Sequence, residues 1–331
     1  MRQADTSWKR GFAASALGDV RRAKRFHKRL AALSRRPSGK VSEVFRRAAD
    51  QQAAYDFLEH DTVDANAVQM LAFRETATRC RGHRSVYLVL DGSSLSLTDR
   101  TGTKGFGSIG NRGKNGRGLK VMNGLAVSTS GKTLGILSQR FWARGPKPAK
   151  GYRPLRDRES YRWHEAFDAA VESMRKWAPE TRLHVLSDRE SDATQFMRHV
   201  VASGCDFTVR ANGTRKALVN GRRVLLRPLL KRLPVLARYS FEYAGDGGRS
   251  PARIATMAVR AARVRLVVRD HHIKQRHVLE LTAVLAREER APRGVKPLDW
   301  LLYTTVPVPN AAAVAAIARY GYRWRIEDFH R

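Results

Sequence analysis

The sequence predicts a mixed α/β protein in which a small helical unit precedes a sheet with helices on its faces. Residues 1–80 carry apolar side chains at helical spacing between capping and breaking residues. From residue 85 onward, short apolar runs alternate with segments of helical pattern. Three successive strands followed by alternating helices and strands are typical of a mixed sheet covered by helices.

The first predicted helix begins at Asp19, whose side chain can cap its amino terminus. Apolar side chains recur along one side at helical spacing, and these are Val20, Ala23, Phe26, Leu30 and Leu33. The other side is basic and carries Arg21, Arg22, Lys24, Arg25, Lys28 and Arg29. Residues 37–39 end this helix, a second begins near Ser42, and a third follows Asp64.

Two short apolar runs that stop at acidic residues predict two buried strands. Residues 86–90 form the first run, which ends at Asp91. Residues 183–187 form the second run, which ends at Asp188. A carboxylate at such a position is exposed at the edge of the core and yet held on a rigid element.

The other elements follow from the same signals. They are a loop over 92–118, a hairpin of 121–129 with 134–142, helices over 161–177 and 192–201, a strand over 207–209, strands over 253–268 and 278–286, a returning strand over 300–305 and a helix over 311–331. The chain therefore divides into four parts: a helical domain (1–80), the first part of the core (81–211), a β-rich insertion (212–299) and the end of the core (300–331).

The charge balance predicts a polyanionic partner. The chain has 63 Lys and Arg against 30 Asp and Glu, a formal net charge of +33, and its basic residues are spread along the sequence. Such a surplus destabilises a compact fold by self-repulsion unless a polyanion neutralises it, so nucleic acid is the predicted partner. A membrane is not predicted, because no apolar run approaches the roughly 20 residues that span a bilayer.

Cysteine usage predicts a reducing environment. The two cysteines, Cys80 and Cys205, are too few for a structural zinc site and do not suggest a disulfide framework. The first ten residues lack the apolar stretch of a signal peptide. We therefore expect a cytoplasmic protein that associates with the bacterial nucleoid.

The acidic residues predict a metal site if the strands before Asp91 and Asp188 are adjacent and parallel. Close carboxylates repel unless a divalent cation lies between them, and oxygen ligands favour Mg²⁺ or Mn²⁺. In the last helix, Tyr320, Arg323 and Glu327 share one face. A third acid and a cation beside two metal ions fit phosphodiester cleavage. On spacing alone, a simple turn at Asp91 and an ion pair of Glu327 with Arg323 remain open.

Five segments carry a resemblance to a known family. They are residues 16–22 (Ala-Leu-Gly-Asp-Val-Arg-Arg), 91–96 (Asp-Gly-Ser-Ser-Leu-Ser), 187–192 (Ser-Asp-Arg-Glu-Ser-Asp), 297–305 (Pro-Leu-Asp-Trp-Leu-Leu-Tyr-Thr-Thr) and 320–330 (Tyr-Gly-Tyr-Arg-Trp-Arg-Ile-Glu-Asp-Phe-His). The last segment resembles the long Tyr-x2-Arg-x3-Glu signature of the insertion-sequence-four group of DDE transposases. The resemblance runs from about Trp8 to the last residue.

The resemblance implies a ribonuclease-H-like catalytic core with a β-strand insertion, behind a helical DNA-binding domain. It implies cut-and-paste transposition at terminal inverted repeats, with Asp91, Asp188 and Glu327 as catalytic ligands of two Mg²⁺ ions, which Mn²⁺ can replace. The residues predicted to contact DNA are Tyr320, Arg323, Trp300, Arg189, Lys114, Arg117, Lys120, Arg21, Arg22 and Arg25. Trp300 would stack on a flipped base, although its apolar surroundings leave a core position as the alternative.

One departure from the family pattern leaves two functions open. The family signature continues with a Lys at what would be position 334 and with a helical segment that joins two protomers, whereas this sequence ends at Arg331. The first expectation is an active transposase that works as a homodimer on element ends and target DNA. The alternative is a catalytically impaired, truncated remnant that only binds DNA.

Overall fold

The computed structural model describes residues 17–36, 40–110, 116–145, 153–214, 216–243, 245, 250–269, 276–308 and 319–331. The chain divides into two compact units, of which the first ends at Arg79 and the second begins at Cys80. No helix in the described part of the chain combines the length and the apolar character needed to cross a membrane.

The described part of the first unit is helical, as predicted. Its helices are α1 (Val20–Arg35), α2 (Val41–Val44), α3 (Ala48–Leu58) and α4 (Ala65–Cys80). Asp19 caps α1, because its carboxylate accepts a hydrogen bond from the Arg21 main-chain N–H at 2.7 Å. Asp64 caps α4 in the same way through the N–H of Asn66 at 2.8 Å. The predicted break at 37–39 lies outside the described residues.

Helix α1 packs on α3 through its apolar side. Phe26 stacks on Phe57 with ring centroids 5.8 Å apart, and Ala23 is buried. Arg29 joins this contact, since its guanidinium lies 5.2 Å from the Phe57 ring centroid and donates to the carbonyl of Ala53. Arg29 therefore stabilises the helix pair instead of adding to the exposed basic side of α1.

The described strands of the second unit form one twelve-stranded mixed sheet. In chain order, the first part of this unit comprises β1 (Ser85–Ser96), β2 (Gly107–Ser108), β3 (Arg117–Ser128), β4 (Thr133–Trp142), α5 (Arg162–Trp177), β5 (Arg182–Ser187), α6 (Thr194–Ala202) and β6 (Asp206–Arg210). The strands are ordered β2-β3-β1-β5-β6, and β4 also pairs with β3. The predicted hairpin, which is β3 with β4, is confirmed, and so is the predicted order of elements apart from the two-residue strand β2, which lies in the predicted loop.

Strands β1 and β5 are adjacent and parallel, which is the condition that the predicted metal site sets for the strands before Asp91 and Asp188. Their register pairs Leu90 with Ser187, so Asp91 and Asp188 follow directly after partnered residues. The buried run of β1 is held in this register by side chains that exclude water on both faces, among them Val89 on one face and Leu90 on the other. The two carboxylates therefore emerge at the same edge of the core.

Strand β1 is longer than predicted, and Asp91 does not end it. The strand continues to Ser96, where the sequence predicts a loop, because residues 91–96 pair with β3 from Asn123 to Gly118. Beyond Leu90 the side chains are largely exposed. Apolar patterning stops at Leu90, whereas main-chain pairing continues, since hydrogen bonding between strands does not depend on apolar side chains.

Two other predicted helices differ from the structure within the residues that it describes. The helix predicted over 192–201 begins at Thr194, after a 3-10 turn at Arg189–Ser191. The helix predicted over 311–331 is a 3-10 turn at Arg319–Arg323 followed by α8 (Trp324–His330), and residues 311–318 lie outside the described part. Gly321 has a low helix propensity, which fits the tighter turn before α8.

The β-rich region extends the main sheet and does not form a separate one. It comprises β7 (Lys216–Val219), β8 (Arg222–Leu225), α7 (Leu226–Lys231), β9 (Ala237–Tyr243), β10 (Arg253–Arg269) and β11 (Arg276–Glu289). Strand β12 (Asp299–Thr304) then returns and pairs with β6 on one side and β11 on the other. The predicted return of residues 300–305 to the main sheet is thus confirmed.

The turn between β3 and β4 depends on glycine. Gly131 has φ +84°, a left-handed conformation that side chains rarely adopt. The ring of Tyr322 lies against it, so that a Cβ at position 131 would come within 2.6 Å of that ring. This contact seats the 3-10 turn before α8 against the β3–β4 turn.

A buried ion pair joins β10 to β11. Arg253 donates through Nε to Glu288 Oε1 at 2.7 Å and through Nη2 to Oε2 at 2.8 Å, and their side chains are 9% and 2% exposed. The main-chain N–H of Leu298 also donates to Glu288, at 2.8 Å. Because both charges are taken out of water, the geometry of the pair decides its stability.

We expect Glu288→Gln to lower the free energy of unfolding by about 3–5 kcal/mol, because it removes the negative charge that accepts two short hydrogen bonds from a buried guanidinium. Chemical denaturation with urea measures the change. The control is Glu280→Gln, which removes a 3.6 Å pair with Arg263 whose side chains are 57% and 68% exposed and should change stability little. Equal effects of the two substitutions would contradict the expectation.

Candidate active site

Asp188 is positioned by the end of β5 and by the turn that follows it. One of its carboxylate oxygens accepts from the main-chain N–H of Glu190 at 2.8 Å, which caps the 3-10 turn. The hydroxyl of Tyr320 is buried and donates to the main-chain carbonyl of Ser187 at 3.2 Å. The strand end that carries Asp188 is therefore fixed from both sides.

Arg323 links the two other acidic residues. Its guanidinium donates through Nη1 to Asp91 Oδ2 at 3.3 Å and through Nη2 to Glu327 Oε1. Arg323 is buried and begins α8, so Glu327 lies one turn further along that helix. The ion pair of Glu327 with Arg323, which the sequence left open as an alternative to a metal site, is present, and the bond of Arg323 to Asp91 joins α8 to β1.

The electrostatics of Asp91 reflect a crowded acidic site. Burial raises the pKa of its carboxyl to about 6, against the opposing effect of Arg323. The charges of Asp188 and Glu327 contribute to the same rise, after burial. The three carboxylates therefore interact, and their mutual repulsion is the kind that a bound cation relieves.

The described residues do not form a preformed set of metal ligands. Among them, no group of three or more His, Cys, Asp or Glu side chains is close enough to hold a metal ion. Arg323 lies between Asp91 and Glu327, where its guanidinium supplies the positive charge. The donor set has the oxygen chemistry of a Mg²⁺ site, but Arg323 must move before these carboxylates can share an ion.

Trp300 lies in the core. It is 7% exposed and packs against Phe241 and Tyr320, with ring centroids 5.6 Å and 6.2 Å away. Base stacking requires an exposed ring face, so this placement favours the core position over the role predicted for Trp300. The exposed tryptophan at the site is Trp324, at 46%, whose ring lies 5.0 Å from the Arg323 guanidinium.

Sequence analysis missed Arg210. This residue ends β6, the neighbour of β5, and interacts electrostatically with Tyr320, Arg323 and Asp188. Burial lowers the pKa of its guanidinium. The rule that singled out Asp91 and Asp188, a polar residue where an apolar strand stops, also applies to Arg210 and would have found it.

The other basic residues predicted at the site differ in placement. Arg189 is exposed in the turn after Asp188. Lys120 donates to Ser94 Oγ at 2.8 Å, and Arg117 donates to the Phe106 carbonyl at 2.6 Å. Lys114 lies outside the described residues. Arg189 is thus the one among Arg189, Lys120 and Arg117 for which the structure gives no side-chain hydrogen bond.

In the first unit, the basic side of α1 is largely exposed. Arg21 and Arg25 face solvent, whereas Arg22 donates to the carbonyl of Leu17 at 2.7 Å. With the exposed Lys24 and Lys28, Arg21 and Arg25 form a stripe at helical spacing. Such a stripe suits contacts with successive phosphates of a nucleic-acid backbone.

Residues 5–63 match the family model described as transposase DNA-binding. The matched stretch includes α1, α2 and α3 with their basic stripe. The match supports a transposase role for the chain and DNA as its partner. It also agrees with the resemblance of residues 16–22, which lies inside it.

Replacing both Arg21 and Arg25 by Gln should weaken binding to a duplex of random sequence. The slope of log affinity against log salt should fall by about 2, since each phosphate contact contributes about one. Fluorescence anisotropy over a series of salt concentrations measures the slope. Arg21→Lys with Arg25→Lys is the matched control, because it keeps both charges and should keep the slope; a native slope in the Gln variant would refute the assignment.

Removing Arg323 should raise the pKa of Asp91 above 6, because the guanidinium charge favours the ionised carboxyl. NMR titration of carboxyl-labelled aspartate in metal-free buffer follows Asp91 in Arg323→Gln. Arg325→Gln is the control, since Arg325 is paired at 3.8 Å with the exposed Asp328 and not with Asp91. An unchanged or lower pKa in Arg323→Gln would contradict this account of the site.

Proposed function

We propose that this protein is a DDE transposase of the insertion-sequence-four type, which cuts DNA at terminal inverted repeats and joins the ends to target DNA as a homodimer. The observation that carries the proposal has two parts: Asp91 and Asp188 follow the paired residues Leu90 and Ser187 of two adjacent parallel strands, and Arg323 pairs with both Asp91 and Glu327. The match of residues 5–63 to a transposase DNA-binding family supports it independently.

A ribonuclease-H-like core is part of the proposal. Strand β3 is antiparallel to β1, and β1, β5 and β6 are parallel, with α5 between β4 and β5 in the chain. In open α/β sheets, ligands bind beyond the carboxyl ends of parallel strands. Asp91 follows the buried run of β1 and Asp188 follows β5, so both lie at that position.

Asp91, Asp188 and Glu327 are the residues proposed to hold Mg²⁺ or Mn²⁺. Their carboxylates supply the oxygen ligands that these ions prefer. The pKa of Asp91 is raised first by burial and also by the charges of Asp188 and Glu327, and this interaction of like charges supports a shared cation. When bound, two such ions lower the pKa of an attacking water or 3′ hydroxyl and stabilise the leaving oxygen.

Arg323 is proposed to hold a DNA phosphate beside the acidic residues. A guanidinium has five N–H donors, and two of the donor nitrogens here point to Asp91 and Glu327. The planar fork matches a phosphate bidentately, so an arriving phosphate can draw Arg323 away from the carboxylates. Trp324, exposed beside Arg323, is placed to contact the DNA that arrives with that phosphate.

A second candidate function is DNA binding without cleavage. It is favoured by the position of Arg323, whose guanidinium already neutralises Asp91 and Glu327. If this ion pair persists on DNA, the carboxylates are not free to hold a metal. The amino-terminal unit would then occupy element ends without cutting them.

Strand cleavage separates the two candidates. On duplexes that carry the inverted repeats flanking the gene, the protein with Mn²⁺ should nick the DNA at the repeat end. Asp91→Asn, Asp188→Asn and Glu327→Gln should each lower the nicking rate by at least about a thousandfold, because each removes a carboxylate proposed to hold the metal ions that stabilise the transition state. Gel shifts should give native DNA affinity for all three.

Asp328→Asn is the matched control for Glu327→Gln. Asp328 lies next to Glu327 on α8, is exposed, and pairs with Arg325 at 3.8 Å. Its substitution should leave nicking within about threefold of native. Nicking that survives Glu327→Gln sinks the catalytic proposal, and DNA binding without nicking by the native protein favours the second candidate.

A further inference from the structure

Asn123 is a buried polar residue in an apolar stretch of β3. It is 2% exposed, and its neighbours Met122 and Leu125 are buried as well. Asparagine is depleted in strands, and a buried carboxamide costs free energy unless its hydrogen bonds are made. Both ends of the Asn123 carboxamide are hydrogen-bonded here, which indicates a specific role for this side chain.

Asn123 belongs to a row of polar residues that crosses three strands. Its register partner on β1 is Asp91, and its partner on β4 is Gln139. Side chains directly opposite each other on paired strands project from the same face of a sheet. Helix α8 contacts β1 and β3 on that face, where it meets this row.

The hydrogen bonds in this row have a fixed direction. Gln139 Nε2 donates to Asn123 Oδ1 at 2.8 Å, which leaves Asn123 Nδ2 as the donor toward His330 Nε2 at 2.9 Å. His330 therefore accepts with Nε2 and carries its proton on Nδ1. Burial lowers the pKa of His330, which agrees with a neutral ring.

These contacts attach α8 to the sheet at two polar points. Arg323 bonds to Asp91 at the start of the helix, and His330 bonds to Asn123 at its end. Glu327 lies four residues after Arg323 and three before His330, so the three side chains share one side of α8. A helix of seven residues is too short to be stable alone, so its placement depends on such contacts and on the buried Ile326.

We propose that Gln139, Asn123 and His330 form a positioning relay that holds Glu327 in place over Asp91. The relay rests on the proposed function of Glu327 as a metal ligand. Its three members touch neither DNA nor metal in this proposal and act only through α8. It explains how Glu327 stays in place when Arg323 turns from Asp91 to a phosphate, because the second attachment does not involve Arg323.

The test compares His330→Gln with His330→Leu. A Gln side chain can accept the bond from Asn123 Nδ2, whereas Leu fills similar space and cannot. His330→Leu should lower Mn²⁺-dependent nicking by about tenfold or more, since it leaves a buried donor unpaired. His330→Gln should restore the rate to within about threefold of native. Equal losses in the two variants would overturn the relay.

Hydrogen exchange tests the same relay without relying on cleavage. Amides of residues 324–330 should exchange about tenfold faster in His330→Leu and at the native rate in His330→Gln, because only Leu releases the end of α8. Exchange in α5 should stay native in both variants, which controls for general unfolding. Native exchange of residues 324–330 in His330→Leu would overturn the relay whether or not the protein nicks DNA.

A double substitution tests whether Asn123 and His330 act through each other. If Asn123 and His330 act through each other, Asn123→Leu with His330→Leu should be no slower in nicking and no faster in exchange than the worse single variant. Multiplicative losses would mean independent effects and would overturn the relay. If the native protein does not nick, the proposed function fails, and the exchange rates of the single and double variants still decide the relay.

Discussion

The parallel register of β1 against β5 is the constraint on which the candidate site depends. It pairs Leu90 with Ser187 and so places Asp91 and Asp188 at one edge of the core. Buried apolar residues on both strands hold this register, and a slip of one residue would turn the Asp91 side chain to the opposite face. Arg323 then bonds to Asp91 and to Glu327, and His330 attaches the end of α8 to Asn123.

The candidate site carries both negative and positive side chains, so it can attract cations and anions. In a chain with a net charge of +33, the Asp91 carboxyl is buried and lies near the charges of Asp188 and Glu327, and burial first and these charges second raise its pKa. Arg210 and Arg323 border the same place and carry the opposite charge. Negative carboxylates beside positive guanidinium groups suit a ligand that carries both charges, namely a phosphate backbone accompanied by cations.

The parts of this architecture that depend on local patterns were predictable from the sequence. Asp19 as a cap, the β3–β4 hairpin and the apolar runs before Asp91 and Asp188 are each encoded within a few residues. The extension of β1 to Ser96 was not predictable in this way, because it depends on pairing with a strand twenty residues later. The burial of Trp300 and the role of Asn123 depend on still more distant partners, since His330 lies 207 residues from Asn123.

The hydrogen-bonded path from the β-rich region to the acidic edge is continuous. Strand β12 is bonded to β11 on one side and to β6 on the other, and β6 is bonded to β5. The strand ends that precede the acidic edge therefore belong to the same hydrogen-bonded sheet as the β10–β11 ribbon, and the position of Arg210 at the end of β6 depends on the pairing of β12 with both neighbours.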